Sequence, residues 1–414
     1  MEKQPSDYDV IIVGGGLVGG TFAACLARDP AMRIAIIEKF PVQRMDDENL
    51  MHPSYDARNT ALANGTCHVF DQLGIWQAIR SQSAAIKHIV VCDRGGFGRS
   101  TIDAVEENVR ALGYVVENRW IGEVLNRHLD TLQNVSLLTP AEVQALEYID
   151  EKTVEVTALV DGKPVVVRTP LLVIADGAQS ATRRFLGIEA QKTDYGQTAI
   201  VTTITPEMPH NDQAWERFTA TGPLALLPQT DNRMGITWCL DNDKAAALMA
   251  ATDEEFLEEL QKVAGSGPGR FIKVGKRFTY PLTLTLSDEQ IRPNVVVLGN
   301  SAHAMHPVAG QGLNLSIRDV AALTQLIYDA REQAVHYGDL AWLNRYFQQR
   351  KMDQAATVQF SDKVVKLFST DKPSAVAARN LGLLAFDLLP GAKRFLAHYA
   401  MGRAAPTLLP EVVI

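Results

Sequence analysis

Glycines set beside polar side chains recur at three places in this chain of 414 residues. The first is Gly14, Gly16 and Gly19, a G-x-G-x-x-G spacing with Glu38 following 19 residues after Gly19. Such a loop can cradle a dinucleotide. The first glycine makes the tight turn, the second lets the backbone approach a pyrophosphate, and the third lets a helix pack closely on a strand. The helix N-terminus then offers free N–H groups and a positive dipole end to the phosphates. Glu38 can accept hydrogen bonds from an adenosine ribose, and an acid there argues against a ribose phosphate, so the nucleotide expected is FAD or NAD rather than NADP. The second place is Asp176 and Gly177, with Ser180 and Arg183 behind them. The third is Gly299 and Asn300, followed by His303, His306, Gly310, Gly312 and Asn314.

Each cluster follows a short apolar run that reads as a buried parallel strand: residues 10–13, 171–175 and 295–298. Ligands of open α/β sheets bind at the carboxyl ends of strands, which is where all three clusters fall. A further strand, 33–38, carries Glu38 at its end. Residues 60–73 and the stretch from Leu315 onward have helical spacing, and Arg58 lies just ahead of the former. Residues 43–54 and 95–98 read as a loop and a turn, and 86–92 as a strand. Asp161 and Gly162 mark a hairpin between 153–160 and 165–169. Residues 195–240 alternate in short runs and predict an antiparallel sheet, and 252–264 predict an acidic amphipathic helix. Beyond Arg331 the pattern is helical to the end.

Composition sets the outer bounds. A chain of 414 residues is too long for one simple core. Apolar residues are 46% and charged residues 21%, an ordinary globular balance, and the net charge of -8 argues against a nucleic-acid partner. The four cysteines, Cys25, Cys67, Cys92 and Cys239, show no paired spacing, so neither a disulfide framework nor a metal site is expected. Residues 10–27 carry no charge and mimic a membrane span, but five of them are glycines and the preceding segment is acidic.

Three strand-end sites in this order resemble the FAD-dependent aromatic hydroxylases of the para-hydroxybenzoate hydroxylase type. Within them the chain is similar to the ubiquinone-biosynthesis branch. Asp56 to Leu62, Gly113 to Asn118, Glu216 to Phe218 with Gly222 to Pro228, and His306 to Leu315 carry that similarity. The third motif departs from the family in reading Gly299-Asn300 rather than Gly-Asp, and an Asn can still accept a hydrogen bond from a ribityl hydroxyl. Asn118 replaces an Arg common outside the branch.

The resemblance implies an α/β fold: a Rossmann-like FAD-binding domain with a parallel sheet, interleaved with an antiparallel-sheet substrate domain and a helical C-terminal region. The expected divisions are 1–75, 100–185 and 280–330 for the first, 76–99 and 186–279 for the second, and 331–414 for the third. It also implies an FAD set of Gly14, Gly16, Gly19, Glu38, Arg58, Asn118, Val143, Asp176, Gly177, Arg183, Gly299, Asn300, Gly310, Gly312, Leu313 and Asn314.

The implied reaction uses NADH or NADPH to reduce FAD and delivers one oxygen atom of O2 to an activated phenol, expected to be a 2-polyprenyl-6-methoxyphenol. A sister hydroxylase acting at another ring position and a non-catalytic FAD-bound subunit are the alternatives. A phenol titrates near 10, roughly as Tyr does, so some group must favour its anion. His303 and His306 are the weak candidates, with packing roles at least as expected. Trp215 and Arg217, on the sheet over the substrate, are expected to be structural. From Arg331 to Arg403 there are eleven Lys and Arg against six Asp and Glu. That basic surplus suits either a peripheral membrane contact on the inner face of the membrane by a cytoplasmic protein, or a helical lid or oligomer face. A multiprotein biosynthetic complex is the other partner the resemblance implies.

Overall fold

The computed structural model describes residues 6–42, 58–93, 99–219, 221–305, 310–368 and 409. A six-stranded sheet stands at the centre, in the order Ile291–Arg292, Val295–Val297, Leu172–Ile174, Val10–Val13, Ile34–Ile37 and Val135–Leu138. All its pairings are parallel except that of the two-residue edge strand Ile291–Arg292. Val10–Val13 is fully apolar because both of its faces are covered. Val10 and Ile12 pack with helices, against Phe22, Leu26 and Leu323. Ile11 and Val13 pack on a second sheet, against Val154, Val156 and Val167. That second sheet is a four-stranded layer built from Ala141–Asp150, Thr153–Val160 and Lys163–Thr169, with Ser6–Asp7 added in parallel. Asp161 and Gly162 turn its hairpin with φ of 50° and 76°, the left-handed pair that such a two-residue turn requires.

A nine-stranded sheet forms the other half. Its main order is His303–Ala304, Phe278–Ser287, Ala190–Pro206, Arg233–Asp241, Gly222–Gln229, Gln213–Thr219, His88–Asp93 and Arg99–Asp103, with Phe271–Val274 pairing on Ala190–Pro206. Helix Asp253–Ala264 covers one face, placing Phe256, Leu260 and Val263 among Trp215, Leu226 and Trp238. Thr252 and Glu255 close that helix with a capping box. The sheet reaches further along the chain than the expected divisions. Arg99–Asp103 joins it because it pairs antiparallel with His88–Asp93, and Phe278–Ser287 joins it along the length of Ala190–Pro206.

A three-stranded sheet of Asn59–Ala63, Gly113–Glu117 and Ala84–Ile86 links the halves. Here the helix expected over 60–73 is corrected. Its first residues form a strand because Gly113–Glu117 takes their hydrogen bonds, and the helix is Asn64–Gln72. The expected 86–92 strand is two strands, Ala84–Ile86 and His88–Asp93, serving different sheets. Two long helices close the described chain, Gln311–Glu332 and Leu340–Phe368. The turn expected at 95–98 and most of the loop expected at 43–54 lie outside the described residues, as does the chain beyond Phe368 apart from Leu409. No helix among the described residues is long and apolar enough to cross a membrane.

Candidate functional site

The three glycine clusters converge at one end of the parallel sheet. Gly14 has φ +106°, and a Cβ there would stand 2.4 Å from the Ala175 carbonyl oxygen, at the end of the neighbouring strand. A Cβ on Gly19 would stand 1.9 Å from the Gly14 carbonyl oxygen, so helix Leu17–Leu26 lies directly on the turn. Gly299, at φ +65°, would bring a Cβ to 3.0 Å from Val18 Cγ1, which sets the third cluster against the start of that same helix. The N–H groups of the first helical turn have no partner within the helix and face the glycine turn.

Glu38 sits where the sequence placed it and is almost fully buried. The Gly15 N–H donates to its Oε2 at 2.6 Å and the Phe40 N–H donates to its Oε1 at 2.8 Å. These backbone donors hold the carboxylate beside the glycine turn, where such an acid meets a ribose in dinucleotide sites. Val143 is buried in the neighbouring layer, and the Ala141 N–H donates to the Glu38 carbonyl at 2.7 Å, which ties that layer to the same rim.

Ser301 joins the second and third clusters. Its hydroxyl accepts from the Gly177 N–H at 2.9 Å and lies 3.2 Å from Asp176 Oδ1. Its carbonyl accepts from the Arg183 guanidinium. Asp176 Oδ2 in turn accepts from the Thr182 N–H at 3.1 Å, and Ser180 caps the short helix that carries Arg183. Arg183 is 3% exposed, and its Nε has no hydrogen-bond partner among the described residues. Asn300 is exposed, next to this brace. Sequence spacing singled out Asp176, Arg183 and Asn300 but missed Ser301, whose role exists only once the two strands are adjacent. Ser301→Ala is expected to leave the Gly177 N–H unsatisfied and to cost about 1–3 kcal/mol, read as a lower melting temperature with weakened FAD retention.

The residues from Gly310 to Asn314 were expected on a loop; they open a helix. Gly310 adopts φ +61° ahead of Gln311–Glu332, and so Gly312, Leu313 and Asn314 occupy its first turn. The physical reason is Asn314. Its Oδ1 accepts from the Ala63 N–H at 2.9 Å and the Thr66 hydroxyl at 2.8 Å, while its Nδ2 donates to the carbonyls of Ala61 and Gly310 at 2.8 and 2.9 Å. All four positions of the amide are used within the protein, so Asn314 clamps the helix start to strand Asn59–Ala63 and leaves backbone N–H groups for a ligand. A Cβ on Gly312 would meet nothing within 4 Å. Asn118 is likewise a clamp, with its Oδ1 accepting from the Thr60 hydroxyl at 2.6 Å. The Arg58 guanidinium lies 4.8 Å from the centre of the Tyr280 ring. The open space at Gly177 and Gly312, the turn at Gly14 and the buried Arg183 Nε together fit FAD.

His303, a weak catalytic candidate by sequence, is buried and engaged within the protein. Its ring is 1% exposed, and its Nε2 donates to Asp319 Oδ2 at 2.8 Å. Asp319 Oδ1 accepts from Arg350 Nε at 2.6 Å, and Arg350 and Arg318 both reach Asp353. Burial raises the Asp319 carboxyl's pKa, but the hydrogen bond from His303 and the charge of Arg350 outweigh it and hold it below the usual carboxylate range. Asp353 is also held low: burial raises it, and Arg318 and Arg350 outweigh that. His303 therefore anchors the Leu340–Phe368 helix to the strand after Asn300. His306 lies outside the described residues.

The nine-stranded sheet has two unlike faces. Trp215 and Arg217 point to the helix-covered face, where Trp215 is 8% exposed and Arg217 donates to the Val263 carbonyl at 3.1 Å. Both are structural. Period-two alternation puts Glu216 on the other face, in a row with its strand partners Val91 and Ala225. Strand Asn59–Ala63 lies over that face, since a Cβ on Gly235 would stand 2.6 Å from Asn59 Nδ2. Burial pushes the Glu216 carboxyl up to about 7. Sequence reasoning used Glu216 only as part of a motif. The signal that marks it was available: a charged residue flanked on both sides by positions that face the core.

Residues 7–361 match the FAD binding domain family. The chain is 37% identical over 394 residues to the ubiquinone hydroxylase UbiL of Rhodospirillum rubrum, covering 95% of this chain and 89% of the relative. It is 30% identical over 410 residues to the 3-demethoxyubiquinol 3-hydroxylase of Escherichia coli, covering 97% and 100%. The crystal structure of p-nitrophenol 4-monooxygenase from Pseudomonas putida superposes with a TM-score of 0.77 at 16% identity, covering 97% of this chain and 99% of that one, and shows the same fold. With its glycine turn, acid and braced strand ends in place, the chain belongs to the FAD-dependent aromatic hydroxylases, in their ubiquinone-biosynthesis branch.

Proposed function

We propose that this enzyme hydroxylates a polyprenylated phenol, 2-polyprenyl-6-methoxyphenol, in ubiquinone biosynthesis, with NADH or NADPH as electron donor and O2 as oxygen source. The observation that carries this is likeness from end to end, at 37% identity over 95% of the chain, to a ubiquinone hydroxylase. Bound FAD would supply electron transfer and oxygen activation. The chain's own share is positional. Gly14, Gly16 and Gly19 would admit the pyrophosphate and Glu38 would take the ribose, while the Asp176–Ser301–Arg183 brace fixes the strand ends that would hold the cofactor. The N-terminus of helix Gln311–Glu332 would offer N–H groups to the flavin, and Asn314 holds that helix start against strand Asn59–Ala63.

A second reading has support of its own. The Escherichia coli relative is a hydroxylase of a different ring position by its name, so a sister position on the same ring is the rival. Purified, FAD-loaded protein would be followed for NAD(P)H oxidation with and without 2-polyprenyl-6-methoxyphenol, and the product analysed by mass spectrometry. Substrate-stimulated oxidation with a product heavier by one oxygen is expected. Retained FAD with no product from this phenol, and product from a more substituted ring, would move the assignment to the sister reaction. A polyprenyl substrate partitions into lipid, and the basic surplus between Arg331 and Arg403 supports peripheral attachment to an anionic membrane or to partner proteins of the same pathway.

A further inference from the structure

Glu216 is a partly buried acid whose placement the FAD-binding machinery does not explain. It lies mid-strand in Gln213–Thr219, between Val91 and Ala225 on the neighbouring strands. Pairing carries the row on to Thr237, and the next row of the same face holds Phe218, Pro223 and Cys239. These neighbours are apolar or uncharged. Neither carboxyl oxygen takes part in a hydrogen bond or ion pair among the described residues, and Oε1 is sealed from solvent. Yet the residue as a whole keeps a water-accessible fraction. The carboxyl is thus set among apolar and uncharged neighbours without a partner among the described residues, in a residue that is still partly open.

The wall opposite can be identified. Asn59 stands against Gly235 of this face and accepts a hydrogen bond from Gln229. On its far side, the same strand is clamped by Asn314 and lies 3.4 Å from where a Cβ on Gly310 would be. The Glu216 face and the flavin-side helix start are thus separated by a single strand. Among the described residues, the titratable groups facing this side of the sheet are Asp93 of the adjoining strand, Cys239, Tyr195 and Tyr280, with Arg58 over the Tyr280 ring. Tyr195 is bonded to Asp362 of the C-terminal helix at 3.1 Å, and no cation lies within ion-pair distance of Glu216 among the described residues.

We propose that Glu216 is a catalytic residue that takes the hydroxyl proton of the bound phenol, an inference that rests on the phenol reading above. The phenol O–H bond breaks, an O–H bond forms on the Glu216 carboxylate, and the electron pair stays on the phenolate oxygen, activating the ring carbons. The proton returns to the product's phenolate oxygen after oxygen transfer, so no net proton is consumed by this residue. A base poised near the working pH is the efficient one, and burial has set Glu216 at about 7. The neutral acid formed then donates a hydrogen bond to the phenolate in place of a counter-ion.

The test uses the full chain loaded with FAD and 2-farnesyl-6-methoxyphenol as probe. Phenol binding is read from flavin fluorescence and kcat is read across pH 5.5–8.5, roughly one and a half units either side of the Glu216 value. Wild-type kcat should rise through an inflection near 7. Glu216→Gln should keep FAD and bind the probe within a few fold, because the amide oxygen still accepts a hydrogen bond. Its kcat should fall about 100-fold or more and lose the inflection. Glu216→Ala should regain part of its kcat when formate is added, which a merely structural role would not allow. Wild-type kcat and pH profile in Glu216→Gln would overturn the assignment while leaving the phenol reading intact. A wild-type protein that neither binds nor hydroxylates the probe would overturn both.

Discussion

Gly19→Ala is expected to yield a chain that neither accumulates in folded form nor retains FAD. The added methyl would fall 1.9 Å from the Gly14 carbonyl oxygen, and that oxygen belongs to a backbone held on its other side by the Gly14 N–H donating to Ile37 at 2.9 Å. Backbone pinned in a parallel sheet cannot give way by more than an ångström, so the helix must leave the strand. The cost then exceeds the 1–3 kcal/mol typical of an extra core methylene. Gly312→Ala is the control. Its Cβ meets only open space in a helix, where alanine is favoured over glycine by about 1 kcal/mol. That variant should melt at or above the wild-type temperature, and any loss of flavin colour would report the room a ligand needs. Purified yellow Gly19→Ala with wild-type melting would contradict the packing described.

Asp319→Ala is the second large effect. It would remove one of the two carboxylates that hold the Arg350 guanidinium, 3% exposed, and the only described hydrogen bond of the His303 ring. Breaking one partner out of a buried ionic group costs about 3–5 kcal/mol. Differential scanning calorimetry should show a drop of roughly 5 °C, given the entropy of unfolding of a chain this size. The pH sign follows from the pKa. Asp319 is held below its ordinary carboxylate value, so its stabilising share is fully present above that value and disappears as pH falls through the lower folded one. The gap between wild type and variant should therefore be flat from pH 5 to 8, about the range where the carboxylate is ionised in both states, and should close only in acid. A gap that changed across neutral pH would point to a different group.

The strand-end logic was legible from residue order alone. Three apolar runs, each ending in glycine and a polar residue, are adjacent strands of one sheet, and Glu38 faces the glycine turn as its spacing implied. What stayed hidden depends on contacts far apart in sequence. Ser301 acts across to Gly177 and Arg183, and Thr66 and Thr60 act by holding Asn314 and Asn118. Residues 60–63 carry a helical pattern that lost to pairing with Gly113–Glu117, a tertiary override of local periodicity. His303 looked like a base from its place after Asn300; only the fold reveals that Asp319, sixteen residues on, and Arg350 had already claimed it. Glu216 reads in sequence only as part of a motif, because a strand's two faces are not visible until one of them is seen to be covered.

The two unlike faces of the nine-stranded sheet have a consequence for how such an enzyme can change its diet. Along Gln213–Thr219, Trp215 and Arg217 serve the helix layer, while Ala214, Glu216 and Phe218 face the strand beside the flavin site. Stability and substrate preference are thereby written in alternate letters of the same strand. A lineage can revise the even letters of this strand with little penalty to folding, because its packing on the helix layer is carried by the odd ones. One scaffold can drift from one ring position to another without passing through an unfolded ancestor.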